Sequence, residues 1–300
     1  MKRPTVDPAS CPQASGVGIL CGAGAALFWA AGFVAARHGI AAGFSPADIA
    51  LHRFAWAGLI FLPLIFRDGI ADLGGMGWAR GSLLTLLGGP PLALLSYAGF
   101  LIVPLAHGGV IQPSCAALGG LLLARWALKE RLPGYRLIGA GTIVAGLVVI
   151  GGEALATAGP HGLVGDLSFA TAGLLFAAFG MLLRRWRIAP TRAVAVTSAL
   201  SLAYVAIQAL AVGFERMIGL GLGENLLQLA VQGIFAGAGA TYLFTWSVGL
   251  LGAGRAAVFP SLVPGFTLLI GFLLLREVPS LAQLAGLATV MCGFWLTQKA

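Results

Sequence analysis

Residues 16–36 read GVGILCGAGAALFWAAGFVAA, an uncharged run with Arg37 at one end and a tail that starts Met1-Lys2-Arg3 at the other. A bilayer core is about 30 Å thick and a helix rises about 1.5 Å per residue, so roughly 20 apolar residues cross it. This run has that length. The apolar core of a cleaved signal is shorter, roughly 7–15 residues, so the stretch reads as a first spanning helix.

Moving outward, the same test finds windows at 46–66, 81–103, 106–127, 136–153, 164–184, 189–213, 226–249, 254–275 and 280–298. Barrel strands need only about 9–11 residues to cross, and runs this long point to helices instead. The connections are short, so no separate soluble domain is expected. Composition agrees: 59% of residues are apolar and 9% charged, with mean hydropathy +0.95. A soluble globule carries about 25% charged residues. The expected fold is an all-α polytopic membrane protein with ten transmembrane helices.

The net charge of +8 raises nucleic acid as a partner, but that needs basic residues gathered on one face. The 18 Lys and Arg are scattered between apolar runs. The expected partners are membrane lipid and a small-molecule substrate, not nucleic acid. Cys11 lies in the tail, and Cys21, Cys115 and Cys292 lie within apolar runs, with no metal or disulfide spacing. No metal or cofactor is implied. Ten helices put both termini on one side. Arg37, Arg216 and Arg276 fall on the far side, Arg53 lies inside a span, and the remaining 14 cations share the side of the termini. The asymmetry places both termini in the cytoplasm of a cell inner membrane.

Shifting the sequence by 147 residues aligns it with itself without a gap. Arg37 meets Arg184, Pro113-Ser114 meets Pro260-Ser261, and Leu128, Glu130, Leu137, Gly139, Thr142 and Gly146 meet Leu275, Glu277, Leu284, Gly286, Thr289 and Gly293. The shift is half the chain and five helices. Five is odd, so the halves, residues 1–153 and 154–300 of one integral unit, insert with opposite orientation. Glu130 and Glu277 are then expected at oppositely facing ends of helices four and nine. Inverted repeats of this kind are an architecture of secondary transporters that work by alternating access.

Leu128-Lys129-Glu130-Arg131-Leu132 with Gly139 and Gly146, and Leu275-Arg276-Glu277 with Gly286 and Gly293, resemble the EamA repeat. Arg53-Phe54 looks like that repeat's Arg-Phe pair, and Pro264, thirteen residues before Glu277, sits where the family's helix-nine proline falls. The equivalent first-half position is Ala117, so a bend there would have to come from Pro113. Nearly the whole chain resembles the drug/metabolite transporter superfamily. Trp29 and Ser96-Tyr97 are similar to the YddG-type exporters, which implies export of aromatic and other neutral amino acids. Two alternatives stay within the superfamily. A nucleotide-sugar or phosphorylated-sugar exchanger wants more than one mid-membrane cation, and a toxic-cation efflux carrier wants an acidic partner. An intramembrane enzyme needs a nucleophile, base or metal ligands, and the chain has no HExxH or Ser/His pairing. A channel needs a filter or charged ring, which is not found either.

Broken helices near the midplane build transporter sites. Gly88-Gly89-Pro90-Pro91 interrupts helix three, Gly237 stands 147 residues after Pro90 in helix eight, and Pro113, Pro260 and Pro264 weaken helices four and nine. These are the expected hinges. Trp29, Tyr97, Tyr242 and Trp246 lie inside spans with the polar Gln112, Ser114 and Ser261, and the seven form the expected substrate-binding set. Arg53 either attracts a substrate carboxylate or snorkels and caps carbonyls. His107 begins helix four at the interface. All ten acids fall at span ends or in loops, so no carboxylate is expected inside the membrane, and facilitated exchange stands beside proton coupling. A cysteine replacing Lys299 should resist a membrane-impermeant thiol reagent in intact cells and react in inverted vesicles. Labelling in intact cells would reverse the topology.

Overall fold

The computed structural model describes residues 12–127, 129, 133–251, 256 and 259–297. Met1, Lys2, Arg3, Cys11, Leu128, Glu130, Arg131, Leu132 and Lys299, used above, lie outside them. Among the described residues the regular structure is helical. The first half contains α1 (Pro12–Ala42), α2 (Pro46–Asp68), α3 (Trp78–Gly88), α4 (Pro90–Gly99), α5 (Leu105–Ala127) and the long run α6 (Gly134–Trp186), which passes into the second. Then come α7 (Pro190–Leu200), α8 (Ala203–Ala211), the short α9 (Glu215–Gly219), α10 (Gly221–Gln228), a π-helical segment (Leu229–Gly239) and α11 (Ala240–Leu251). A 3-10 turn (Phe259–Leu262), α12 (Val263–Ile270), a π turn (Gly271–Leu275) and α13 (Leu281–Thr297) finish the chain.

Among the described residues, six stretches are long and apolar enough to cross a membrane: Gly16–Ala42, Pro46–Asp68, Trp78–Gly99, His161–Trp186, Thr191–Ala211 and Gly221–Leu251. Gly134–Ile150, Phe259–Leu275 and Leu281–Leu296 are shorter apolar helices, and α5 is a 23-residue one. The chain is a multi-pass, all-α membrane protein.

α6 carries helical hydrogen bonding through 53 residues, about 80 Å if straight. Packing excludes a straight rod. A Cβ on Gly165 would touch Val103, Gly173 lies on the Gln112 carbonyl, and Gly119 lies on Leu174 and Ala177, so the second half of α6 runs parallel to α5. In a straight α6, residue 134 would then sit over ~70 Å from residue 127. Seven residues reach at most ~25 Å. The run therefore doubles back between Gly134–Ile150 and His161–Trp186. Its first half instead packs antiparallel on α13.

That α6–α13 contact shows the internal symmetry in space. A Cβ on Gly146 would sit 2.7 Å from the Gly286 carbonyl oxygen, and one on Gly293 would sit 2.8 Å from that of Gly139. Gly139 and Gly146 are the 147-residue counterparts of Gly286 and Gly293, so each glycine meets the copy of the other. Small residues let backbones approach in lipid, where no hydrophobic force drives helices together. The backbone repeats as well: Lys129 and Arg276, also 147 apart, both take left-handed conformations, each with φ 56°, at a cost of roughly 1–2 kcal/mol for a non-glycine residue.

Local chemistry starts and breaks the other spans. Ser45 and Asp48 form a reciprocal capping box at the start of α2, with Pro46 at its first position. Asp48 is fully buried and its Oδ1 accepts from Gln208 Nε2 at 2.9 Å, which ties α2 to α8. Between α3 and α4 the chain leaves helical geometry at Gly89 (φ −103°, ψ −144°), where a Cβ would strike the Thr85 carbonyl. The expected break at Gly88 and Pro90 is therefore present. Its second-half counterpart is the π segment that contains Gly237. Pro260 lies in the 3-10 turn and Pro264 in the first turn of α12. Pro113 stands inside α5, which continues through it from Leu105 to Ala127.

Gly146→Ala should lower the thermal midpoint of the purified protein in detergent. The clash, about 1–3 kcal/mol, outweighs the roughly 1 kcal/mol that alanine gains over glycine in a helix. Gly141→Ala, which meets open space, should leave the midpoint unchanged or raise it.

Candidate functional site

The middle of the bundle holds a chain of polar groups that joins α1, α2, α4 and the π segment. Tyr97, buried on α4, donates its hydroxyl to Gln232 Oε1 at 3.1 Å. Gln232, fully buried, donates Nε2 to the Gly32 carbonyl at 2.7 Å. Arg53, from α2, lies beside Tyr97. Gly32 makes room: a Cβ there would lie 2.8 Å from the Ala236 methyl and 3.9 Å from Arg53 Nη1. Arg53 thus points into the bundle rather than snorkelling.

Gln232 is one rung of a ladder. His38 meets Glu224 at 3.0 Å, Gln228 Nε2 donates to the Ala35 carbonyl at 2.8 Å, and Gln232 reaches Gly32. The rungs step by four residues up one element and by three down α1, which fits one face of two antiparallel helices. His52 faces elsewhere, bonded to Asn225 at 3.1 Å. An isolated Gln in the apolar window 229–240 is the signal that could have identified Gln232 from sequence, since a polar group in lipid needs a partner.

The seven residues expected to share a pocket are not brought together. Trp29 packs on Phe244, with ring centroids 5.4 Å apart, and beside Leu262 and Phe266. Ser261 is buried in the neighbouring 3-10 turn. Ser114 is buried and returns its hydroxyl to the Val110 carbonyl at 2.7 Å, a bond within its own helix. Gln112 is half-buried on α5. Tyr242 and Trp246 are 59% and 54% exposed and pair with each other. They lie off the stripe of α11 that carries buried Ser247 and Leu251. Only Tyr97 joins the central polar chain.

A cavity of about 350 Å³ opens instead at one end of the bundle, lined by Arg37, Leu105, Gly271, Phe272, Glu277 and Gln283 among others, and by none of the seven. Arg37 Nε donates to Glu277 Oε1 at 2.8 Å and its Nη1 to the Phe100 carbonyl at 2.8 Å, while Glu277 Oε2 accepts the Leu105 amide at 3.1 Å. One ion pair thus joins the ends of α1 and α4, the start of α5 and the segment after the second π turn. Beside it, His107 Nδ1 lies 2.9 Å from Asp166 Oδ1, with side chains 1% and 10% exposed. His107 and Asp166 are therefore buried against protein, near the start of α5. Sequence reading placed both at span ends, where packing by Phe100 and Phe169 cannot be seen.

No curated protein matches the sequence. One crystal structure, 21% identical, covers 94% of this chain and 97% of its own and superposes with a TM-score of 0.65, a likeness of fold. The pattern of the EamA-like transporter family matches residues 16–152 and again residues 163–298. The two matches take in both halves and leave residues 153–162, where α6 doubles back, between them. The chain belongs to the EamA-like transporter family and is a membrane transporter of the drug/metabolite transporter superfamily.

Proposed function

We propose that the protein is a secondary carrier that exports aromatic and other neutral amino acids by alternating access. The observation that carries this reading is Arg53, a permanent, half-buried cation in the second span that lies beside the buried Tyr97 phenol. One guanidinium suits one carboxylate. Tyr97 gives an aromatic face to the apolar body of the solute or to its ammonium group. A dianionic sugar phosphate would want a second cation at that depth.

The carrier crosses the inner membrane ten times, with both termini in the cytoplasm and its halves, 1–153 and 154–300, in opposite orientation. The discontinuity flanked by Gly88 and Pro90, the π segment with Gly237 and the irregular turn with Pro260 and Pro264 serve as hinges. These interruptions lie in both halves, as rocking of one repeat against the other requires.

The test is counterflow of labelled phenylalanine in proteoliposomes. Arg53→Gln should reduce flux at least tenfold, since losing one partner of a desolvated charge pair costs about 2–5 kcal/mol. It should leave competition by phenethylamine, which lacks the carboxylate, unchanged. Tyr97→Phe should also reduce flux, because it strips a partner from buried Gln232 beside Arg53, and Tyr97→Ala should reduce it further. An unmutated protein that moves no amino acid but exchanges nucleotide sugars would overturn the substrate class and leave the carrier reading standing.

A further inference from the structure

We propose that the buried His107–Asp166 pair is a proton-binding site that couples transport to the proton gradient. The inference rests on the carrier reading above and adds the driving ion.

The pair lies between helices, with His107 on α5 and Asp166 on the second half of α6, so it bridges the two repeats. Phe100 and Phe169 pack in the same region, 4.9 Å apart between centroids, and both meet the space around Gly108, next to His107. Asp166 Oδ1 is bound to the imidazole, whereas Oδ2 is buried without a hydrogen-bond partner among the described residues. A buried carboxylate oxygen left bare in that way is costly. A neutral imidazole donating Nδ1–H to Oδ1 leaves the site with a charge of −1. One proton added at Oδ2 makes a carboxylic acid that keeps the Nδ1–H bond and brings the site to zero. No other bond changes, and the proton enters from one aqueous side and leaves to the other.

The repeat argues against a purely structural staple. The positions 147 residues from Asp166 and His107 are Ile19 and Gly254. A pair required by the repeat fold would be expected in both halves, but this one occurs once, as a single coupling site would. Its place also suits coupling. Leu105, two residues before His107, donates its amide to Glu277, which holds Arg37. One turn of α5 therefore carries both the proton site and the ion pair that ties four segments at that end. The nearest titratable or charged groups are Cys115 on α5, which feels the Asp166 charge, and the Arg37–Glu277 pair, which reaches α5 at the Leu105 amide, two residues before His107. Neither Arg37 nor Cys115 can replace the carboxylate as acceptor.

Asp166→Asn tests the assignment, because an amide oxygen can still accept from His107 while the titratable oxygen is gone. Two readouts are taken on full-length protein. In pH-difference infrared spectra of the reconstituted protein, without substrate, the unmutated chain should show a protonated-carboxyl stretch that grows on acidification and that Asp166→Asn removes. In proteoliposomes, an imposed pH gradient should drive phenylalanine to accumulate. Asp166→Asn should cut that accumulation at least tenfold yet keep counterflow at equal pH near the unmutated rate. His107→Gln, whose amide can still donate to Oδ1, should keep accumulation better than Asp166→Asn. Gradient-driven accumulation that survives in Asp166→Asn, or a carboxyl band that the substitution does not remove, overturns the proposal. If the unmutated protein moves no phenylalanine, the substrate reading fails and the infrared band alone decides the proton site.

Discussion

Helices in lipid gain nothing from burying apolar surface against one another, so the bundle depends on close backbone contact and on polar links between spans. Glycine supplies the first where α6 and α13 cross, and amides, carboxylates and imidazoles supply the second. The polar links concentrate at the end carrying Arg37, His38, Asp48, Glu224 and Glu277. At the opposite end packing is mainly apolar, through Ile65, Leu73, Met76, Leu84 and Phe179, with Arg80 stacked 5.4 Å from the Trp186 ring. Each end draws on both halves of the chain, but the two ends are held by different chemistry.

The spans and the repeat were legible in the sequence because they depend on quantities that sum along the chain: run length, hydropathy and a constant offset. Gly139, Gly146, Gly286 and Gly293 were visible as matched residues, and space adds that they meet crosswise. The break at Gly88-Gly89-Pro90-Pro91 was readable because proline lacks an amide and glycine lacks a Cβ. The site was less legible. Aromatic residues within a span look alike whether they face a neighbour or the surroundings, and Tyr242 and Trp246 show that depth does not give direction. Gln232 carries no motif, and its role appears only when Tyr97 and Gly32, far away in sequence, are brought beside it. Asp166 reads as an end residue until α6 doubles back and sets it against His107.

Those two polar centres have different tasks built into their chemistry. Arg53 keeps its charge in every state, so it suits the recognition of a fixed anion. His107 and Asp166 differ by a proton between states, so they suit a switch. The Arg37–Glu277 pair lies near the second centre and links segments from both halves, whereas the Tyr97–Gln232 chain lies deeper and links α1, α2, α4 and the π segment.

The ladder of Glu224, Gln228 and Gln232 against His38, Ala35 and Gly32 limits how those helices can move. Its rungs recur about once per helical turn, so sliding α1 along its neighbour by less than roughly 5 Å leaves buried amides facing no acceptor. Partial slippage is therefore disfavoured everywhere between full registers. The bundle behaves as a toothed track, and a change of access that keeps the teeth engaged has to turn the helices about the track as an axle.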